Sequence, residues 1–243
     1  MGRDAARSCR LMVVLFAAAC GVANLDTPDP HQNVGLLRLI PSATADTADG
    51  ARLDTLFATL DTKAVPPGVT VSFTTTLGSF RGSASSTLTV PADSTGLVKA
   101  QLQAPADSGL ALITASALGV TRSQSITYVQ APPTLAQIVP ATPVLSISSV
   151  TGNAVAVVVS VTLLRPTGSP SPGWFVHLAA VDALGHVHGS FNADSLEAVG
   201  DSVKFNYVAS DKTFFGNIYL SAAASRGSTS KPLQGTATLT VTP

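Results

Sequence analysis

The chain has 243 residues with 14 basic and 14 acidic side chains, 12% charged and 5% aromatic residues, 19 Gly and 16 Pro. That length accommodates one large domain or two of ordinary size. A formal net charge of zero, without any Lys/Arg run, excludes the clustered positive potential that phosphate binding requires, so no nucleic-acid partner is expected. Abundant Ala, Val, Thr and Ser with few aromatics is the balance of a β-rich exported protein and not of a disordered charged tail.

Residues 1–19 read as a signal peptide. Arg3, Arg7 and Arg10 form a positive n-region, Leu11 to Phe16 an apolar h-region and Ala17-Ala18-Ala19 a small-residue exit. The apolar run is far shorter than the roughly 20 residues of a membrane-spanning helix. The stretch Leu15-Phe16-Ala17-Ala18-Ala19-Cys20 resembles the lipobox of bacterial lipoproteins, and the resemblance implies that Cys20 becomes the lipidated first residue of the mature chain. Ala17 stands where that family prefers Leu, and Ala17-x-Ala19 also fits an ordinary signal-peptidase site. Lipidation is the favoured reading, because Cys9 lies in the removed part and Cys20 would otherwise remain as a lone exposed thiol. Removal of three Arg and Asp4 leaves 11 basic and 13 acidic residues, a charge of −2. A lipid, and not charge, is therefore the expected membrane attachment. Gly21 lacks the acidic retention signal of some lipoproteins, which points to the outer membrane or cell surface.

Residues 20–33, with Pro28 and Pro30, read as a tether. Beyond it the pattern becomes period two, clearest in Leu53 to Leu60 and Val69 to Thr74. Further strands are predicted over residues 35–40, 86–90, 97–103, 110–115 and 123–129, between Pro, Gly, Asp and Ser clusters. No helical-length stretch carries an apolar stripe of helical period, so the chain is predicted all-β. Pro132, Pro133, Pro140 and Pro143 mark residues 131–143 as a proline-rich linker between a first domain, 34–130, and a second, 144–243.

The two halves repeat. Pro67-Gly68-Val69-Thr70-Val71-Ser72-Phe73 corresponds to Pro172-Gly173-Trp174-Phe175-Val176-His177-Leu178, and at the same offset of 105 Val98 to Leu102 falls on Val203 to Tyr207. That period suits tandem sandwiches of about 100 residues. Leu56, Leu60, Val71, Phe73, Leu102 and Ile113 are predicted to fill one core, and Val157, Val159, Trp174, Val176, Phe205, Tyr207 and Leu220 the other. The second half carries insertions around 167–172 and 186–199.

Ala48-Asp49-Gly50, Leu56 to Asp61, Val65-Pro66-Pro67-Gly68-Val69-Thr70-Val71-Ser72-Phe73, Gly78-Ser79-Phe80 and the Gly109 to Ala115 strand resemble the bacterial Ig-like domains of the invasin and intimin type. The resemblance covers about residues 34–129; the second half fits the broader Ig-like class. It departs from the family in having Thr62-Lys63-Ala64 where an Asn-Gly turn is usual. What it implies is an Ig-like stalk on the cell surface that serves as a spacer or an adhesion and protein-interaction module.

No enzymatic motif is present: no Gly-x-Ser-x-Gly, His-Glu-x-x-His, Cys-x-x-Cys or phosphate loop. Neither an enzyme nor a cofactor is expected. His186 and His188, two apart, would share a strand face and could offer two imidazoles to one metal, with His177 a third only if it lies beside them. Two ligands are not a site, so the pair is read as solvated. Asp46, Asp49 and Asp54 could give oxygens to Ca²⁺ but lack an EF-hand spacing and read as turn residues. Glu197 with Asp194 or Asp201 reads as a polar loop and not as a glycosidase pair. Trp174 would be a sugar-stacking platform if exposed, in a carbohydrate- or peptidoglycan-binding module. Its repeat partner Val69 alternates with Val71 and Phe73, which reads Trp174 as core. Beyond the membrane, the expected partner is another surface protein or a glycan.

Overall fold

A computed structural model of the chain describes residues 36–63, 65, 66, 68–147 and 155–243. The signal segment, Cys20 and the tether lie outside the described residues. The described chain is all-β and builds two Ig-like sandwiches in tandem. The first contains β1 (Leu37–Pro41), β2 (Ala45–Ala48), β3 (Leu53–Leu60), β4 (Thr70–Thr75), β5 (Ser79–Phe80), β6 (Thr87–Pro91), β7 (Leu97–Gln103), β8 (Gly109–Ala117) and β9 (Val120–Gln130). A four-stranded sheet, ordered β1-β3-β7-β5, faces a five-stranded one, β2-β9-β8-β4-β6. Alternation drives the packing. On β3 Asp54, Leu56, Ala58 and Leu60 turn inward, and on β4 Val71, Phe73 and Thr75 do the same. Each large apolar side chain taken fully from water contributes about 1.5–3 kcal/mol.

The second sandwich contains β10 (Leu135–Pro140), β11 (Val144–Ser146), β12 (Val155–Leu164), β13 (Phe175–Val181), β14 (Gly189–Phe191), β15 (Leu196–Glu197), β16 (Ser202–Ala209), β17 (Gly216–Arg226) and β18 (Thr229–Thr242). Its pairing repeats that of the first with one addition: β10 also meets β18 in parallel at Leu135 and Gln234, which joins its strands into a single nine-stranded sheet. β10 lies antiparallel on β12 as β1 does on β3, and β11 runs parallel to β18 as β2 does to β9. β14 pairs β16 as β5 pairs β7, and β15 pairs β13 as β6 pairs β4. The repeat extends to the backbone before β4 and β13, where Gly68 and Gly173 take φ of +82° and +84°, a conformation that costs glycine least. All the residues predicted for the two cores are buried, in two separate clusters.

Two expectations require correction. Residues 131–143 are not a continuous linker, because β10 lies within them and pairs with β12 from Leu135 to Pro140. Pro132 and Pro133 precede that strand, Pro140 ends it and Pro143 follows it, so no proline interrupts its interior. The region 186–199 is not simply an insertion, since it carries β14 and β15, the counterparts of β5 and β6. The short strands β2 and β5 were not foreseen: Ala45-Asp46-Thr47-Ala48 has no apolar alternation and is held by its parallel pairing with β9.

The loop between β12 and β13 joins the sandwiches. Ser171, 2% exposed, donates its hydroxyl to the Ala48 carbonyl at 2.9 Å and accepts the Ala131 N–H at 2.9 Å, while its own N–H reaches the Ala131 carbonyl. Ser169 N–H donates to the Asp49 carbonyl, and Arg165 Nη1 to that of Pro132 at 3.0 Å. Gly168, φ +63°, passes so near that a Cβ would stand 2.5 Å from the Asp49 carbonyl oxygen.

Candidate functional site

Strand directions give the second sandwich two ends. Its β12–β13 loop meets the first sandwich, Ser169 bonding to Asp49 and Ser171 to Ala48. The β13–β14 loop, residues 182–188, and the β16–β17 loop, residues 210–215, lie at the opposite end. They converge because Gly189 pairs with Ala209 across β14 and β16, which brings the residues just before one strand beside those just after the other.

Asp182 organises this end. Its Oδ1 accepts the N–H groups of Leu184 at 2.8 Å and His186 at 2.9 Å, an Asx-type turn. Its Oδ2 is left facing His188 Nε2 at 3.0 Å and His186 Nδ1 at 3.3 Å. On the other side His188 Nδ1 stands 2.9 Å from Asp211 Oδ2. Asp211 is itself fixed, its Oδ1 accepting from Thr213 N–H at 2.9 Å and Thr213 Oγ1 at 2.6 Å. Phe214 stacks on the His188 ring with centroids 3.6 Å apart and planes 15° off parallel.

The charges follow from these contacts. The hydrogen bond with His188, then the backbone N–H of His186, hold Asp182 far below the usual carboxylate range. The Thr213 hydroxyl and then His188 lower Asp211 to about 2. Asp182 first and Asp211 second raise His188 above its ordinary value. The side chains of His188 and Asp182 are 15% and 12% exposed, that of His186 66%. Asp182, His186 and His188 present donor atoms within 4.8 Å of one another. Leu184, Val187 and Phe215 are exposed around them.

The predicted pair His186 and His188 is thus brought together, whereas His177 is elsewhere, on β13 with its Nε2 2.7 Å from Ser225 Oγ. Sequence reading missed Asp182 and Asp211. An Asp followed by Gly185 and two histidines carried a local turn signal for the first; nothing local marked the second.

Trp174 is 4% exposed inside the second core and presents no face for sugar stacking. The acidic trio of the first sandwich is divided among different partners. Asp46 pairs with Arg52 Nη1 at 3.0 Å, and Asp49 Oδ1 caps the turn through Ala51 and Arg52 N–H. The buried Asp54 accepts the Tyr128 hydroxyl at 2.6 Å. Burial above all raises its carboxyl above the ordinary value. Glu197 is exposed on β15.

No protein-family profile matches the chain, and no curated protein sequence matches it either. Solved structures do. Invasin, a bacterial integrin-binding protein, is 14% identical with a TM-score of 0.64, covering 84% of this chain and 39% of its own. The Yersinia pseudotuberculosis adhesin InvE is 18% identical with a TM-score of 0.44, over 84% of this chain and 58% of its own. The chain therefore spans less than two thirds of either. The likeness to invasin shows the fold alone: tandem Ig-like β-sandwiches.

Proposed function

We propose that the chain is a bacterial cell-envelope lipoprotein, anchored through Cys20 in the outer membrane or at the cell surface, whose tandem Ig-like sandwiches act as a spacer or adhesion-type protein-interaction module. The observation that carries this reading is the junction. A spacer must resist bending, and here the buried Ser171 bonds both to Ala48 of the first sandwich and to Ala131 in the connection; separating the two would exchange these bonds for bonds to water, at a net cost of about 0.5–1.5 kcal/mol each. The loops at the opposite end, with Leu184, Val187 and Phe215 exposed, are the surface offered to a partner protein, as loops on rigid sandwiches commonly are. We assign the module no enzymatic activity and no nucleic-acid partner.

The test is the intact mass of the protein extracted from membranes, beside a Cys20→Ala variant, with protease accessibility on whole cells. The expected result is a chain starting at Cys20 with a diacylglyceryl and acyl increment, lost in the variant, and cleaved by external protease. An unmodified mass in the soluble fraction would overturn the anchored reading.

A further inference from the structure

We infer that Asp182, His186 and His188 form a binding site for a divalent transition-metal ion of the Zn²⁺ type, with Asp211 positioning His188 from behind.

A neutral imidazole has one N–H and one lone pair. Both nitrogens of His188 face carboxylate oxygens, Asp211 Oδ2 at 2.9 Å and Asp182 Oδ2 at 3.0 Å, and an ionised carboxylate only accepts. With Nδ1–H donated to Asp211, Nε2 faces the Asp182 oxygen either as the second N–H of an imidazolium or, once a metal ion displaces that proton, as a lone pair turned with Asp182 Oδ2 toward the same ion. The same Asp182 oxygen also faces His186 Nδ1 at 3.3 Å. Three donors thus converge on one point.

Their spacing fits. Zinc holds imidazole nitrogen and carboxylate oxygen at about 2.0–2.2 Å in a tetrahedron, which places neighbouring ligand atoms about 3.3 Å apart. The two separations around Asp182 Oδ2, 3.0 and 3.3 Å, lie near that edge length, and the two histidine donors stand within 4.8 Å of each other, which closing on an ion would bring to the same edge. The donor chemistry also fits, since imidazole with one carboxylate suits zinc, nickel and copper better than the all-oxygen preference of Ca²⁺ or Mg²⁺.

The surroundings are those of a held ligand. A carboxylate behind a metal-bound histidine fixes its tautomer and ring orientation, and here Asp211, itself fixed by Thr213, meets His188 Nδ1 while Phe214 stacks on the ring. Asp182 is oriented by two backbone N–H groups through its other oxygen. The exposed His186 closes the site from the solvent side and leaves the remaining coordination position open to water or to a donor from a partner.

The experiment is titration of the untagged full chain with Zn²⁺ by calorimetry and equilibrium dialysis, with thermal unfolding followed in parallel. The expected result is one ion at this site and a raised melting temperature. His186→Ala, at a position exposed enough to leave the fold intact by circular dichroism, removes that ion and the thermal shift. Asp211→Asn weakens binding by about 10- to 100-fold without abolishing it, and His177→Ala leaves it unchanged. Zn²⁺ held instead by Cys20 or His31 survives His186→Ala, so unchanged binding in that variant overturns the inference, as does a wild-type chain that takes up no ion.

Discussion

The two sandwiches share a strand order and differ at corresponding ends. In the first, β4 passes to β5 through Thr76-Leu77-Gly78, a short turn closed by Thr75 Oγ1 donating to the Leu77 carbonyl at 2.7 Å, and the neighbouring Ala48-Asp49 backbone receives Ser169 and Ser171 of the next sandwich. In the second, the equivalent passage from β13 to β14 is seven residues, 182–188, and carries the Asp and His cluster. One end is built to receive another sandwich through backbone carbonyls; the other presents titratable and apolar side chains. A repeated scaffold keeps its ladders and changes its loops, because loop residues answer to few core contacts.

Core variants break the comparison most severely. Phe73→Ala and Phe205→Ala, each fully buried in a different cluster, should each cost about 3–5 kcal/mol. Chemical denaturation should show each loss falling on its own sandwich, and equal loss in a single shared transition would mean that the two unfold as one unit. Next is the junction. Ser171→Val, which leaves the Ala131 N–H and Ala48 carbonyl without the bonds Ser171 makes to them, should cost about 1–3 kcal/mol and speed proteolysis at 131–134.

A subtler contrast lies in the buried tyrosines. Tyr128 donates to Asp54, whereas Tyr207 is buried with its hydroxyl unpartnered among the described residues. Tyr128→Phe should therefore destabilise by about 1–3 kcal/mol, while Tyr207→Phe should be near neutral or stabilising. Matching losses in the two variants, measured by urea unfolding, would erase the distinction.

The smallest effect at ordinary pH comes from the same pair. Burial first, then the bond to Asp54, raises Tyr128 far above the usual phenol range, and burial pushes Tyr207 up to about 12. Both folded values exceed the ordinary 10.0, so their stabilising contribution is complete below pH 10 and declines as the pH rises above it, for Tyr207 through about 12. Absorbance at the phenolate band should show these two ionising together with loss of circular dichroism. Reversible ionisation of both in the folded chain near pH 10 would contradict it.

Much of the fold was legible in the residues. The alternation of Leu53 to Leu60 and of Leu97 to Gln103 matches β3 and β7 residue for residue, since one face must meet a core. The Pro-Gly element at 67 and 172 marked equivalent strands, because Gly68 and Gly173 sit at the same left-handed turn. β2 stayed hidden, as its ladder with β9 consists of main-chain bonds to which Ala45 to Ala48 add no apolar pattern. Of the candidate site, the pair His186 and His188 could be read, and Asp182 could have been from its turn.

By itself, then, the sequence determined the all-β class, the tandem repeat and the inward faces of the strands, because hydrophobic period and turn residues act locally. Only the tertiary structure decided that Ser171 bridges the sandwiches and that Asp211 stands behind His188. Those meetings depend on strand register, Gly189 against Ala209 above all, and register is set by the packing of whole sheets rather than by any short stretch of chain.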